Sequence, residues 1–178
     1  LEHSSARDVQ FVAALAFALV GDKGKAAVAA DLLKSRYPED TVAKFNYLPT
    51  IYAAIALDNG DAARAIESLK AASADELGLA GGTSYSTYMY PVYVRGLAYL
   101  AAKQGDTAVA EFQKILSWPG VVVNEPIGAL AHLQLARARK MNGQTAEAKA
   151  SYGNFLNLWK NADSSFPLVT AVQAEANR

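Results

Sequence analysis

Short alanine-rich amphipathic stretches, apolar at helical spacing, alternate along this chain with polar turns, and four of those turns have nearly the same wording. They are Val20-Gly21-Asp22, Asn59-Gly60-Asp61, Gln104-Gly105-Asp106 and Asn142-Gly143-Gln144. Glycine ends a helix by entering the left-handed region at little cost, and an Asp after it accepts hydrogen bonds from the free N–H groups of the next helix. Each turn therefore predicts the bend of a helical hairpin. A recurring hairpin is a repeat architecture, in which neighbouring units stack to bury a continuous core.

The pattern predicts four hairpins, over residues 5–37, 41–72, 91–118 and 127–162, followed by a capping helix over 166–178, all in a single domain of residues 1–178. Ser5-Ala6-Arg7-Asp8 has capping-box spacing and predicts a first helix starting near Ser5. Pro38 stops the second helix after Tyr37. Leu48-Pro49 makes 41–58 either one kinked helix or a short turn followed by a helix from Pro49. Residues 73–90 hold Gly78, Gly81, Gly82 and a run of Ser, Thr and Tyr, and form the longest irregular stretch, of a kind often used for binding. The last helix turns Leu168, Val169 and Val172 inward and Gln173, Glu175 and Arg178 outward, as a solubilising cap should.

Within each hairpin a small residue late in the first helix precedes an alanine early in the second by twelve positions: Ala14 and Ala26, Ala53 and Ala65, Gly96 and Ala108, Ala136 and Ala148. A constant offset of small residues predicts close helix contact at the same point of every unit. Four residues after these alanines stand Ala30, Leu69, Phe112 and Tyr152, and three further on Leu33, Ala72, Ile115 and Phe155, the expected core of the second helices.

These positions resemble the tetratricopeptide repeat, most clearly in Gly96-x-x-Tyr99, Ala108-x-x-x-Phe112 and Pro119. The spacings between Ala14, Ala53, Gly96 and Ala136 are 39, 43 and 40 residues, against about 34 in that family. The resemblance implies an all-α, tetratricopeptide-like α-solenoid of four hairpins and a C-terminal cap. A narrower one lies in Tyr90-Pro91-Val92-Tyr93-Val94-Arg95-Gly96-Leu97-Ala98-Tyr99-Leu100, Glu111-Phe112-Gln113-Lys114-Ile115-Leu116, Gly128-Ala129-Leu130-Ala131-His132-Leu133 and Leu158-Trp159-Lys160-Asn161-Ala162-Asp163. These strings are similar to the C-terminal tetratricopeptide region of bacterial eukaryotic-type serine/threonine kinases. That implies a regulatory region behind a catalytic domain, often with a membrane helix between them. None of the kinase's own motifs stands in this chain.

In tetratricopeptide arrays the first helices line a concave groove, so the resemblance implies an exposed stripe of Phe11, Leu15, Tyr47, Ala54, Tyr90, Tyr93, Leu97, Leu133, Gln134, Arg137 and Lys140. Its expected partner contacts are Tyr47, Tyr90, Tyr93, Leu97, Gln134 and Arg137, taking a peptide or protein along an apolar groove. Tyr85, Tyr88, Tyr90 and Tyr93 also crowd the end of the long irregular stretch, where they either fasten it to the array or meet a partner.

Catalytic and metal chemistry finds little to work with. His3 and His132 are the only histidines, and His132, with no carboxylate paired to it in sequence, reads as a helix-packing or surface residue. Glu39-Asp40 and Asp75-Glu76 sit in loops beside helix starts and read as caps. Gly78-x-x-Gly81-Gly82-Thr83-Ser84 lacks the lysine and helix start of a phosphate cradle. No catalytic residue, metal ligand or cofactor is expected.

Charge narrows the partners. The 17 basic and 17 acidic residues cancel, leaving no basic footprint for nucleic acid. Cysteine is absent, which excludes a disulfide framework or a cysteine-held zinc or iron–sulfur site. The apolar run at 11–20 is ten residues long, against about 20 for a membrane span, so this segment is not expected to insert in a membrane. Leu1-Glu2-His3 reads as a tag remnant, and the segment as a soluble domain cut from a larger protein, which the kinase resemblance implies is membrane-anchored; its location is not assigned. The function expected is non-catalytic protein binding, with self-association that sets the oligomeric state of an attached catalytic domain as the alternative.

Overall fold

The computed structural model describes residues 6–74, 76–78, 89–163 and 166–177. Among them the fold is all-α, with no strand. The helices are α1 (Arg7–Leu19), α2 (Lys23–Arg36), α3 (Leu48–Asp58), α4 (Ala62–Ser68), α5 (Tyr90–Ala101), α6 (Gly105–Ser117), α7 (Pro119–Val122), α8 (Pro126–Met141), α9 (Thr145–Leu158) and α10 (Pro167–Ala176). A π-helical turn, Ala43–Tyr47, leads into α3, and a 3₁₀ turn, Leu69–Ala72, extends α4.

Antiparallel packing joins α1 to α2, α3 to α4, α5 to α6 and α8 to α9, the four expected hairpins. They stack in chain order, α1 and α2 against α3, α3 and α4 against α5, α6 against α8, and α10 closes the far end on α9. This is the packing of an all-α helical repeat array. Every residue of the twelve-apart small pairs is buried. At Gly96 the reason is direct, because a Cβ there would come within 2.6 Å of the Phe112 ring. The predicted second-helix core, Ala30, Leu33, Leu69, Ala72, Phe112, Ile115, Tyr152 and Phe155, is buried throughout.

The four hairpin bends share one geometry, and it corrects the sequence reading of the third. In each, an N–H reaches the carbonyl five residues back: Asp22 to Phe17, Asp61 to Ala56, Gln104 to Tyr99 and Gln144 to Arg139, all at 2.9 Å. The left-handed residue before it is Gly21, Gly60 and Gly143 in three bends, with φ between 74° and 83°, but Lys103, at φ 61°, in the third. Gly105 is the first residue of α6 instead. It is glycine because a Cβ there would overlap the Asn142 carboxamide, which donates from Nδ2 to Asp106 Oδ1 at 2.8 Å. Asp22 and Asp61 cap the next helix as expected, accepting from the N–H of Lys25 at 3.1 Å and of Arg64 at 2.9 Å.

Other boundaries also shift. Helix α1 begins at Arg7 with Ala6 before it, and Ser5, from which a capping box was expected, lies outside the described residues. Residues 41–58 form one continuous helical run with a π-turn inside it, the first of the two alternatives in altered form. Pro49 brings no N–H to the ladder, and the Thr50 hydroxyl donates to the Asn46 carbonyl at 2.6 Å. The short α7 falls where a loop is expected, because its Val121 and Val122 are buried on the third hairpin's core.

Candidate functional site

The first helices carry the expected partner contacts, and their side chains meet one another more than they meet solvent. Phe11 of α1 stacks on Tyr47 with ring centroids 3.9 Å apart and planes 8° from parallel. Tyr90 of α5 meets the same Phe11 edge-on at 6.2 Å. One phenylalanine thus joins the first three hairpins. The Tyr47 hydroxyl donates to Asp8 Oδ1 at 2.9 Å, and the Arg7 guanidinium lies 5.5 Å from the Tyr47 ring centroid. Arg7 also bridges Asp8 and Asp40, each at 2.8 Å. Burial works against the Arg7 charge, yet hydrogen bonds to Asp8 and Asp40 outweigh it and hold its pKa above the usual value.

A second chain of contacts runs along the third and fourth hairpins. The Tyr90 hydroxyl donates to Glu125 Oε2 at 2.9 Å; burial, then that bond, pushes its pKa up. Tyr93 meets Phe112 edge-on at 6.0 Å and accepts from Gln134 Nε2 at 3.4 Å. The Gln134 Oε1 accepts from Arg137, and Arg137 grips Glu175 of α10. Leu97 packs, half-buried, on the core beneath.

These contacts correct the expectation of an exposed inner stripe. Phe11, Leu15, Tyr47, Ala54, Tyr93, Leu133 and Gln134 are all buried. The rings of Phe11, Tyr47 and Tyr90 reach each other across successive hairpins and cover one another. Tyr90, Leu97 and Arg137 keep partial exposure. Tyr85 and Tyr88 lie outside the described residues, as does His3. Beside Tyr90 an apolar cleft remains, lined by Val12, Leu15, Ala16 and Leu19 of α1.

Two polar expectations change as well. Glu175 does not point outward: it receives Arg137 through both oxygens and also the Tyr152 hydroxyl, at 3.2 Å. Arg178 lies outside the described residues. Glu76 is no exposed cap but a buried carboxylate, 4% exposed, that accepts from Arg95 at 2.8 Å and from Lys114. Arg95, itself 7% exposed, also donates to Glu111 at 2.6 Å. Burial alone would lower the Arg95 pKa, but the bonds and charges of Glu111 and then Glu76 raise it. Two cations and two carboxylates balance here, and they sit between the segment after α4 and helices α5 and α6. Nothing in the sequence marked this network, whose members lie up to 38 residues apart. Asp40, by contrast, caps as expected, accepting from the Ala43 N–H at 2.8 Å. Asp75 lies outside the described residues.

His132 is half-buried, its Nδ1 has no hydrogen-bond partner among the described residues, and burial lowers its pKa. Gln10 and Asn46 are buried carboxamides whose Gln10 Oε1 and Asn46 Oδ1 and Nδ2 are likewise unpartnered. Among the described residues no group of three or more His, Cys, Asp or Glu is gathered as a metal site, and no helix is long and apolar enough to cross a membrane. Compared with family models, curated proteins and solved structures, the chain matches none.

Proposed function

We propose that this segment is a non-catalytic protein-interaction region, a scaffold or sensor of tetratricopeptide type that holds a peptide or protein against its first helices. The observation that carries the reading is the cleft beside Tyr90, where four aliphatic side chains of α1 face one half-buried tyrosine. Such a site accepts an apolar side chain while the tyrosine supplies a polar edge. Tyr90, Leu97 and Arg137 are the accessible members of the expected contact set, and Tyr47, Tyr93 and Gln134 act from beneath by holding them in place.

The experiment is selection of a displayed random-peptide library on the immobilised chain, followed by titration of the enriched peptides. Peptides with one or two apolar anchors are expected, with binding weakened at least about tenfold by Leu19→Glu, a substitution at the exposed rim of the cleft. Absence of enrichment, or binding indifferent to Leu19→Glu and to Tyr90→Phe alike, overturns the reading.

The parent is, on this proposal, a bacterial signalling kinase, a reading supported by the strings at 90–100, 111–116, 128–133 and 158–163 rather than by the fold. Its test is the reading frame upstream of this segment, where a glycine-rich loop, a His-Arg-Asp loop and an Asp-Phe-Gly motif are expected. A frame without them removes the kinase assignment.

A further inference from the structure

Two of the four bends carry the same dipeptide, Asn59-Gly60 and Asn142-Gly143. Their backbones are alike. Asn59 stands at φ −81°, ψ 0° and Asn142 at φ −85°, ψ 3°, followed by Gly60 at φ 77° and Gly143 at φ 74°. The glycine N–H is bound in each, Gly60 to the Leu57 carbonyl at 2.9 Å and Gly143 to the Lys140 carbonyl at 3.1 Å. Asparagine before glycine is the dipeptide most prone to losing its side-chain amide. Glycine has no Cβ to hinder attack of its own nitrogen on the asparagine Cγ, and its backbone bends readily into the ring that forms.

The two carboxamides are held differently. Asn142 is half-buried, and its Nδ2 donates to Asp106 Oδ1 at 2.8 Å. It also lies flush on Gly105, where a Cβ would overlap it. Both contacts come from the third hairpin, and both must break before this side chain can turn toward Gly143 N. Asn59 is exposed, and its Oδ1 accepts from Lys23 Nζ at 2.9 Å. The Lys23 side chain is itself 45% exposed and also pairs with Asp58 at 3.2 Å. A contact of this kind restrains little, and it sets an ammonium on the oxygen where negative charge would gather.

We infer that Asn59 is a site of spontaneous deamidation and that Asn142, in the same dipeptide and the same bend, is protected from it by the third hairpin. Once the bend opens and Gly60 N has given its proton to hydroxide, that nitrogen attacks Asn59 Cγ. A C–N bond forms, and the carbonyl electron pair moves onto Oδ1 beside the Lys23 ammonium. Its return expels Nδ2, which takes up a proton and leaves as ammonia. Water then opens the five-membered imide at either carbonyl, giving aspartate or isoaspartate. Ammonia is exchanged for water, and nothing is oxidised or reduced. Asp58 and Asp61 flank this bend and oppose the developing charge, but Asp58 is paired with Lys23 and Asp61 with the Arg64 N–H.

Aspartate at 59 keeps the backbone and gives Lys23 a second carboxylate. Isoaspartate carries the main chain through the former side chain, one methylene longer. The Asp61 N–H then loses its register with the Ala56 carbonyl, which it meets at 2.9 Å. The bend of the second hairpin is thus where the array changes chemically with time.

The test is mass spectrometry of the whole chain kept in mildly alkaline buffer and digested at intervals, with amide-to-acid conversion counted at both sites. In the folded chain, conversion at 59 is expected to run at least about tenfold ahead of 142, and in urea to come within about twofold of it. Asp106→Ala should speed conversion at 142 at least about threefold, and Lys23→Met should slow it at 59 at least about twofold. Conversion at 142 equal to or ahead of 59 overturns the proposal. So does a lead of 59 that persists undiminished in urea, or a folded Asp106→Ala chain in which 142 is as slow as before. Unchanged conversion at 59 in Lys23→Met overturns the part given to that ammonium. The comparison of folded chain with urea uses no variant, so it decides where a variant does not fold.

Discussion

Arg137 and Glu175 meet as a two-pronged ion pair, Nε to Oε2 at 2.9 Å and Nη2 to Oε1 at 2.6 Å, across 38 residues of sequence. Tyr152 Oη adds its proton to Oε2, and Lys140 Nζ donates to the Glu175 carbonyl at 3.2 Å. A single residue of α10 therefore collects groups from α8 and α9, and the cap is held by polar contacts around one fully buried valine, Val172.

Glu175→Gln is expected to loosen α10 at modest cost, about 0.5–1 kcal/mol, because both side chains of the pair are about a third exposed. Hydrogen exchange checks it: amides of α10 should exchange faster while those of α5 and α6 hold their rates. The hydrogen bond to Arg137 and then its charge keep the Glu175 pKa below its ordinary 4.5. A carboxylate with a lowered folded-state pKa binds fewer protons folded than unfolded. Its contribution is therefore complete above pH 4.5 and lost as pH falls through the lowered value. An acid melt of Glu175→Gln should lack that part of the loss.

Gly105→Ala is expected to destabilise the chain by about 1–3 kcal/mol, because the added methyl meets the Asn142 carboxamide. Asn142→Ala in the same chain should return part of the loss, although it gives up the bond to Asp106. Urea unfolding of the two single variants and the double checks this, and additivity of the two losses would remove the contact as the cause.

Arg95→Met leaves the buried Glu76 and the half-buried Glu111 without their shared cation and should cost about 3–5 kcal/mol. Replacing Glu76 by Gln at the same time should cost less than the sum of the two single losses. Denaturant midpoints test the network, and a loss under about 1 kcal/mol for Arg95→Met would show that water already reaches it.

Tyr90 separates two kinds of contact. Tyr90→Phe keeps the edge-on contact with Phe11 and loses only the hydroxyl bond to Glu125, an expected cost of about 1 kcal/mol. Tyr90→Ala also loses the ring that joins the first and third hairpins and should cost about 3 kcal/mol. Thermal melts of the two variants are the check. Equal losses would mean that the ring contributes nothing.

Much of the array was legible in the residues. The twelve-residue offset from Ala14 to Ala26 and its three repetitions fixed which faces meet, because only small side chains let two helices close at that point. A further regularity was available and is sharper than the glycines: the left-handed residue falls seven positions after each first-helix small residue, at Gly21, Gly60, Lys103 and Gly143. Glycine composition alone misassigned the third bend, because Gly105 answers to a neighbouring hairpin and not to its own turn. The candidate site was less legible. Tyr47 and Tyr93 stood on the expected helices, but a single helix cannot tell whether its neighbours' rings reach across to cover it.

By itself the sequence determined the helices, their pairing into hairpins and the residues of each hairpin's interior, since these depend on local backbone preference and on packing within some forty residues. Only the tertiary structure decided which first-helix faces are closed and which are open. Phe11 is buried because Tyr47 and Tyr90 arrive from other hairpins, and Glu76 because Arg95 and Lys114 do. Exposure is set by what lies across a gap in space, and periodicity along one chain carries no record of that gap.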